Sequence, residues 1–406
     1  MALCTTSYRR RMSMAATACG VLAACFIGAH GVSAQLGPIP GQSVNMVSGI
    51  EWPDGDPFLQ RQNEGSMAVS TRNPLHILGG GNDYRTVDIP GLPGGAMSGD
   101  AWNGVFWSRD GGHRWKSTLL PGYRQDMSPE GLASPIHGLE AGADPVIRAG
   151  ANGMMFYVGI AFNREAITES ASASVAGGGK TGRLFLARFI DDNARETGNP
   201  FRYLETLVVD SGSEGQFLDK PWLAVDKPRA GAGSCSIPGD GRVGPQSFPS
   251  GNVYVAYTTF VGKSAVNIRT KVMFARSTDC GRTWSQQKLS EGYPVNQGAV
   301  IAIEPTSGAV YVAWRRFRSD KGDPDGFLIA KSVDGGRSFT KAIDLVTFTP
   351  YMLSDGVTTV SRIFEQGTSI ASFRTTGFPA LTVDPPASCT RRGPSAASAR
   401  WPKRAS

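Results

Sequence analysis

Five short polar clusters stand before apolar runs at a nearly constant interval: Asn63 and Glu64, Asp144, Asp219 and Lys220, Asn296 and Gln297, and Arg374. Carboxylates, amides and cations gathered at one place offer acceptors and donors of both signs, which suits a hydrophilic ligand. A second polar set, beginning with Asn82, Asp83, Tyr84 and Arg85 and recurring around 163–182, 260–267 and 315–326, falls in the longer connections that would rim such a place. Taken singly, each has a plainer reading. Asp and Asn before a strand form turns, and Arg315 and Arg316 can simply cover an apolar edge.

Other chemistries find little support in the residues. Gly177 to Thr181 ends like a phosphate-binding loop, but position 174 is Ser rather than Gly and the run after it, 184–189, is strand-like. His76, His113 and His137 have no zinc-site spacing, and no Gly-x-Ser-x-Gly elbow occurs. Asp320, Asp323 and Asp325 before Gly326 form an incomplete calcium pattern, better read as a solvated acidic turn. No metal and no cofactor is implied.

The elements that must position the polar clusters come from a repeat. The apolar runs 65–70, 145–150, 221–226, 299–304 and 379–384 end at intervals of 80, 76, 78 and 80 residues. Repeat 3 continues with strand-like runs at 222–225, 253–258, 272–276 and 284–289, and repeat 4 with 300–303, 310–315, 327–331 and 339–345. Glycine at 51 residues and proline at 26 punctuate these runs, and no convincing amphipathic helix follows residue 35. The expected fold is therefore all-β, a β-propeller of four-stranded antiparallel blades.

Between the third and fourth runs lies a polar turn with the frame Ser-x-Asp-x-Gly-x-x-aromatic. It occurs as Ser277, Asp279, Gly281, Trp284; as Ser108, Asp110, Gly112, Trp115; and as Ser332, Asp334, Gly336, Phe339. The Asp accepts backbone N–H bonds, the Gly takes positive φ, and the aromatic opens the returning strand. Repeat 2 replaces the motif with Asp191, Asp192 and Asn193.

These three turns resemble the Asp-box, or BNR-repeat, propellers of the sialidase (neuraminidase) superfamily, over roughly residues 60–385. The resemblance implies six blades, of which this chain supplies four and the start of a fifth, so that closure needs another chain or further sequence. It implies structural Asp-boxes on the rim away from the active site. It also implies a glycan ligand and a sialidase-like glycoside hydrolase, with a trio of arginines for the substrate carboxylate, an Asp acid and a Tyr–Glu nucleophile pair. Arg85, Arg316 and Arg374 are the arginine candidates, and Asp83 or Asp144 the acid, although none lies in a family motif and the Phe/Tyr-Arg-Ile-Pro signature is missing. A lectin-like or protein-binding propeller without turnover is the alternative.

Topology places the site independently. In a four-strand meander the 1–2 and 3–4 turns share one end, so the 2–3 connections and the residues leading into strand 1 share the other. The ligand face is expected opposite the Ser-x-Asp turns. Cys235 and Cys280 fall in the 1–2 and 3–4 turns of repeat 3, and are expected to form a disulfide.

Residues 1–34 read as an export signal: Arg9 to Arg11, an apolar stretch over 14–27, then Val32-Ser33-Ala34. A secreted or periplasmic protein is expected, with a lipid anchor at Cys25 ranked second and no later stretch able to span a bilayer. A lead-in over 35–60, the propeller over 61–385 and a tail over 386–406 complete the organisation. The tail is unlike a strand, and a truncation or reading-frame change near residue 386 is expected. Of the +7 net charge, residues 1–34 contribute +3 and residues 386–406 contribute +5, leaving −1 on the body and no basis for nucleic-acid binding.

Overall fold

The computed structural model describes residues 44, 46, 62–85, 101–163, 182–212, 216–261, 269–291, 294–318, 322–349, 353–354, 359–360 and 377–384. All of them belong to the larger of the chain's two units, Val44–Ser406. The export signal, the residues around Arg374 and the tail lie outside the described residues.

Each repeat becomes one four-stranded antiparallel sheet. Blade 1 is β1 (Gln62–Val69), β2 (Ile77–Asp83), β3 (Trp102–Ser108) and β4 (Lys116–Leu119). Blade 2 is β5 (Ala141–Ala149), β6 (Met154–Phe162), β7 (Gly182–Asp191) and β8 (Phe201–Gly212). In blade 3, β9 (Gln216–Val225) is followed by a small hairpin, β10 (Ser234–Ile237) with β11 (Gln246–Pro249), before β12 (Val253–Val261), β13 (Arg269–Ser277) and β14 (Ser285–Lys288). Blade 4 is β15 (Asn296–Ile303), β16 (Val310–Arg316), β17 (Gly326–Ser332) and β18 (Ile343–Thr347).

The innermost strands β1, β5, β9 and β15 neighbour one another in turn, which is the radial packing of a β-propeller. Middle strands are covered on both faces by adjacent blades, so they read as unbroken apolar runs. Every residue of β6, Met-Met-Phe-Tyr-Val-Gly-Ile-Ala-Phe, is buried. Outer strands face solvent, and β14 is accordingly Ser-Gln-Gln-Lys.

The cores lie between blades. Leu78, Val105 and Trp107 of blade 1 pack on Ile147, Tyr157 and Phe185 of blade 2. Leu184 and Leu186 meet Leu223, Val255 and Tyr257 of blade 3. Tyr254 and Phe274 meet Val310, Val312 and Trp314 of blade 4. At about 1.5–3 kcal/mol per large apolar side chain removed from water, these inter-blade layers are the main favourable term of the fold.

The Ser-x-Asp turns close one end of blades 1, 3 and 4 in the same way. Ser108 Oγ accepts the Gly112 N–H at 2.9 Å and donates to Asp110 Oδ1 at 2.9 Å. Ser277 and Ser332 repeat both bonds, to Gly281 and Asp279 and to Gly336 and Asp334. The first position after the Asp takes positive φ each time: Gly111 at 73°, Cys280 at 65° and Gly335 at 71°. Cys280 thus holds a conformation that costs an ordinary L-residue about 1–2 kcal/mol. It is joined by a disulfide to Cys235 on β10, with Cα atoms 5.1 Å apart, which ties the small hairpin to the turn.

Three sequence expectations need correction. The innermost strands begin three to five residues earlier than their apolar runs, because the residues ahead of those runs already hydrogen-bond into the ladder. In blade 4 the returning strand starts at Ile343, and Phe339 instead packs its ring edge-on to Phe274 at 4.7 Å. Among the described residues, helix is confined to one α-helical turn, α1 (Pro129–Leu132), capped by Ser128 Oγ accepting the Gly131 N–H, and one 3-10 turn, Ala151–Gly153, in keeping with the all-β expectation. The segment 379–384, expected to open a fifth blade, has no strand pairing; Leu381 packs on Val300, Ala313 and Ile329 of blade 4. An extended segment is a strand only when a partner supplies the ladder.

The turn geometry predicts unequal effects of two substitutions at Cys280. Both Cys280→Ala and Cys280→Gly remove the cross-link, at about 2–4 kcal/mol for a loop of this size. Glycine also relieves the positive φ, so the Gly variant should be about 1 kcal/mol more stable than the Ala variant by denaturant titration. Equal stabilities would mean that the turn stores no backbone strain at Cys280.

Candidate functional site

The clearest polar convergence among the described residues lies where the innermost strands meet, at the end away from the Ser-x-Asp turns. Each of these strands carries a β-bulge there: the register shifts between Asn63 and Ser66, between Ala143 and Val146, between Asp219 and Trp222, and between Gln297 and Val300. One residue per bulge has positive φ: Glu64 at 54°, Asp144 at 56°, Lys220 at 49° and Gly298 at 69°. Three of the four are not glycine, and all three are ionisable. A bulge turns a side chain out of the ladder, and here it turns Glu64, Asp144 and Lys220 toward one another.

The contacts run from blade to blade. Asn82 Oδ1 accepts the Asp144 N–H at 2.8 Å, and Asp144 Oδ2 accepts the Lys220 N–H at 3.0 Å. Gln297 Nε2 donates to Asp219 Oδ2 at 2.5 Å. Across these staples Lys220 Nζ reaches Glu64 Oε1 at 2.8 Å and Asp144 Oδ1 at 3.8 Å. Asn82 Nδ2 donates to Glu64 Oε2 at 3.4 Å. The Lys220 and Glu64 side chains keep 33% and 38% of their surface open to solvent, against 12% for Asp144, so a solute can reach the first two.

The environment pushes the carboxyl groups apart in acidity. Burial, reinforced by the Glu64 hydrogen bond and the Asp219 charge, holds Asp144 well above the ordinary carboxylate range. The hydrogen bond from Asp144 brings Glu64 down to about 2 against the cost of its own burial, with help from the Lys220 ammonium and the Asn82 amide. Asp144 therefore holds the proton of the pair. Burial also raises Asp219, although its bond from Gln297 works the other way. Lys220 is raised: burial opposes its charge, but the Asp144 and Glu64 carboxyls outweigh that. An acid that keeps its proton beside an ionised carboxylate and an ammonium can donate, accept and orient at one point.

The remaining candidates fall elsewhere. Asn63 is exposed on β1 beside Glu64, and Tyr84 is half-buried just after β2. Asp83 lies at the end of β2 in the register position opposite Trp102, and is enclosed with Arg85 in an ion pair of 2.6 Å. Arg315 is buried against Asp325 at 2.7 Å, with Phe317 4.4 Å from its guanidinium, so that part of the acidic 320–325 turn serves an internal pair. Arg316 meets Asp344 at 2.7 Å. Arg85 and Arg316 are thus held separately on blades 1 and 4, and Arg374 lies outside the described residues. Asn296 is buried, accepting from Trp314 Nε1 at 2.9 Å and donating to the Pro294 carbonyl, which makes it a structural strut. The sequence places Asn82 on the rim, whereas it stands in β2 and contributes to the cluster; the three glycines before it, 79–81, give no strand signal.

No family model matches this chain, and no curated protein matches it. Among solved structures it is similar to a protein of unknown function from Dyadobacter fermentans, at 15% identity and a TM-score of 0.40, covering 72% of this chain and 71% of that one. It is also similar to the Hadza microbial sialidase Hz136, at 14% identity and a TM-score of 0.39, covering 69% of this chain but only 46% of the sialidase. A third is the GH93 alpha-L-arabinofuranosidase of Fusarium graminearum, at 13% identity and a TM-score of 0.39, with 72% and 70% covered. At such identities the likeness concerns fold alone.

The divided carboxyl pair predicts two opposite pH responses. Asp144 binds its proton more tightly folded than unfolded, so it costs stability as pH rises above its unfolded value of 3.8. Glu64 contributes stability above its unfolded value of 4.5, and that contribution is lost as pH falls toward about 2. Asp144→Asn keeps a donor for Glu64 and an acceptor for the Lys220 N–H, so it should match wild type within about 1 kcal/mol near pH 4 and exceed it at pH 8. Glu64→Gln should lose about 1 kcal/mol at pH 7, with the gap narrowing in acid. Denaturant titrations from pH 3 to 8 in which Asp144→Asn declines with pH as steeply as wild type would refute the assignment of the proton.

Proposed function

We propose that this propeller is a glycan-directed protein whose ligand sits on the axial cluster. The observation that carries the reading is convergence: three innermost strands deliver Glu64, Asp144, Asp219 and Lys220 to one partly exposed point. Carboxylate acceptors, an ammonium and amide donors within a few ångströms of one another match the closely spaced hydroxyls of a sugar ring. The likeness of the Ser-x-Asp turns to sialidase-type propellers points the same way, as does the location of the cluster at the opposite end of the blades.

Binding is favoured over hydrolysis. A two-carboxylate glycosidase holds its carboxyl groups about 5–9.5 Å apart, leaving room for a glycosidic bond or a water. Here the Lys220 ammonium stands between the two carboxyl groups, 2.8 Å from Glu64 Oε1 and 3.8 Å from Asp144 Oδ1, so a ligand has to displace it before the pair can act on a bond. Sialidase-type turnover asks further for an arginine trio, and two of its three candidates are already neutralised by aspartates. The Cys235–Cys280 disulfide accords with an oxidising compartment, so we place the ligand outside the cytoplasm.

Purified protein on a glycan array, beside a panel of fluorogenic glycosides that includes a sialoside, tests the proposal. Lys220→Ala is expected to weaken glycan binding about tenfold or more, since it leaves two carboxyl groups without their cation. Sialoside release is expected at background. Undiminished binding by Lys220→Ala would remove the ligand from the axis, and fast sialic-acid release would replace the binding reading with a hydrolytic one.

A further inference from the structure

Resting on the glycan reading, we infer that the axial site selects an uncharged sugar and that Phe378 supplies its apolar wall. Two independent observations meet here, one about charge and one about shape.

The charge observation concerns cations. At the axis Lys220 faces Glu64 at 2.8 Å and Asp144 at 3.8 Å, with Asp219 next to it in the chain, so its charge is already met. Among the described residues at this end of the blades, Arg85 is met by Asp83, Arg315 by Asp325 and Arg316 by Asp344, each within 2.7 Å, while Arg183 and Arg269 stand at the start of the third strands β7 and β13, away from the axis, and Arg318 lies in the connection after β16. Arg85 and Arg315 are buried in those pairs as well. A carboxylated sugar would have to compete with the ionised Glu64 for Lys220, the one ammonium among the described residues of the cluster. An uncharged sugar meets the same groups as hydroxyl donors and acceptors, with no like-charge cost.

The shape observation concerns blade 4. Gly298 holds the bulge position that Glu64, Asp144 and Lys220 hold in the other blades, and it brings no side chain. The space above it is taken by Phe378, whose ring lies so close that a Cβ on Gly298 would collide with it. Phe378 is half-buried, and its neighbour Gly377 is held by Arg315 Nη1 donating to the Gly377 carbonyl at 3.1 Å. The ring of positions around the axis is therefore polar at three blades and aromatic at the fourth, with Gln297 beside the aromatic and bonded to Asp219. A neutral sugar has the same division, hydroxyls around its edge and an apolar C–H face that packs on a ring.

The test uses printed oligosaccharides in matched pairs, ending in galactose or galacturonic acid and in glucose or glucuronic acid, probed with the full chain. Wild type should bind the neutral member of a pair about tenfold better than the acidic one. Glu64→Gln should narrow that preference to about threefold or less, because it removes the negative charge that repels the acidic member and leaves a hydrogen-bonding group. Phe378→Leu keeps an apolar packing group over Gly298 but loses the flat face, and should weaken neutral binding about fivefold; Phe378→Tyr should restore it. Thermal melts of each variant separate lost binding from lost folding. Equal or better binding of the acidic members would overturn the selectivity and leave the glycan reading standing. Binding of neither member would overturn the glycan reading itself, and full binding by Phe378→Leu would remove the aromatic wall.

Discussion

The structure depends on how one blade is fixed to the next, and at the axis that is done by a side chain capturing a backbone N–H. An antiparallel sheet satisfies its own ladder, but a bulge releases one N–H from it. In blade 2 the N–H of Asp144 is taken by Asn82 of blade 1, and in blade 3 the N–H of Lys220 is taken by Asp144 of blade 2. The bond from Gln297 to Asp219 carries the same relation on to blade 4 by side chains alone. Hydrophobic layers between the blades supply most of the stabilisation, yet they are tolerant of sliding; these directional bonds set the height at which each blade stands. The positive φ of Glu64, Asp144 and Lys220 is part of the same device, since it is the bulge that aims the N–H and the side chain together.

That device explains why structural and functional readings of the axial cluster do not compete. Asp144 must be there to hold Lys220, and holding a backbone N–H with one oxygen leaves the other in a crowded, poorly hydrated place beside Glu64. Two carboxyl groups sharing one ammonium, one of them buried, cannot both ionise cheaply, so one keeps the proton. The more buried of the two is Asp144, and it is the one pushed upward. An acid next to a carboxylate and an ammonium thus follows from joining three bulged strands. A ligand that offers hydroxyls can use what the fold has already arranged.

Much of this was legible in the sequence because it is periodic. The spacing of the apolar runs marks out the blades, and the Ser-x-Asp turns mark the end away from the cluster. Polar residues ahead of each apolar run were read as loop, since an unbroken polar pair gives no strand signal; they are strand because a ladder partner exists on the next strand. The bulges were invisible for a related reason. Glu, Asp and Lys are unusual at positive φ, and only Gly298 has a residue type that announces it. The ion pairs that occupy Arg85, Arg315 and Arg316 depend on which Asp the fold brings near, and sequence distance does not reveal that for Asp344.

Blade 2 shows what the turn motif contributes by having lost it. Asp191 stands at the end of β7, where the other blades end in Ser108, Ser277 and Ser332, and its Oδ1 accepts the Asn193 N–H at 2.8 Å much as those serines accept theirs. A carboxylate has a second oxygen to place. It bonds His76 Nδ1 at 2.9 Å, from the 1–2 turn of blade 1, in a pair buried on both sides. Nearby Arg72 donates to the Asp191 carbonyl and to Gln246 of the small hairpin, and Gln246 donates to Asp192. The local bonds that close a turn in the other blades have been exchanged here for bonds to blade 1 and to the hairpin that the disulfide anchors to blade 3. Blade 2 can lose the serine motif because its turn is closed from outside, and for that reason Asp191 should tolerate Ser less well than the sequence frame suggests: the hydroxyl would restore the turn but leave His76 without its acceptor.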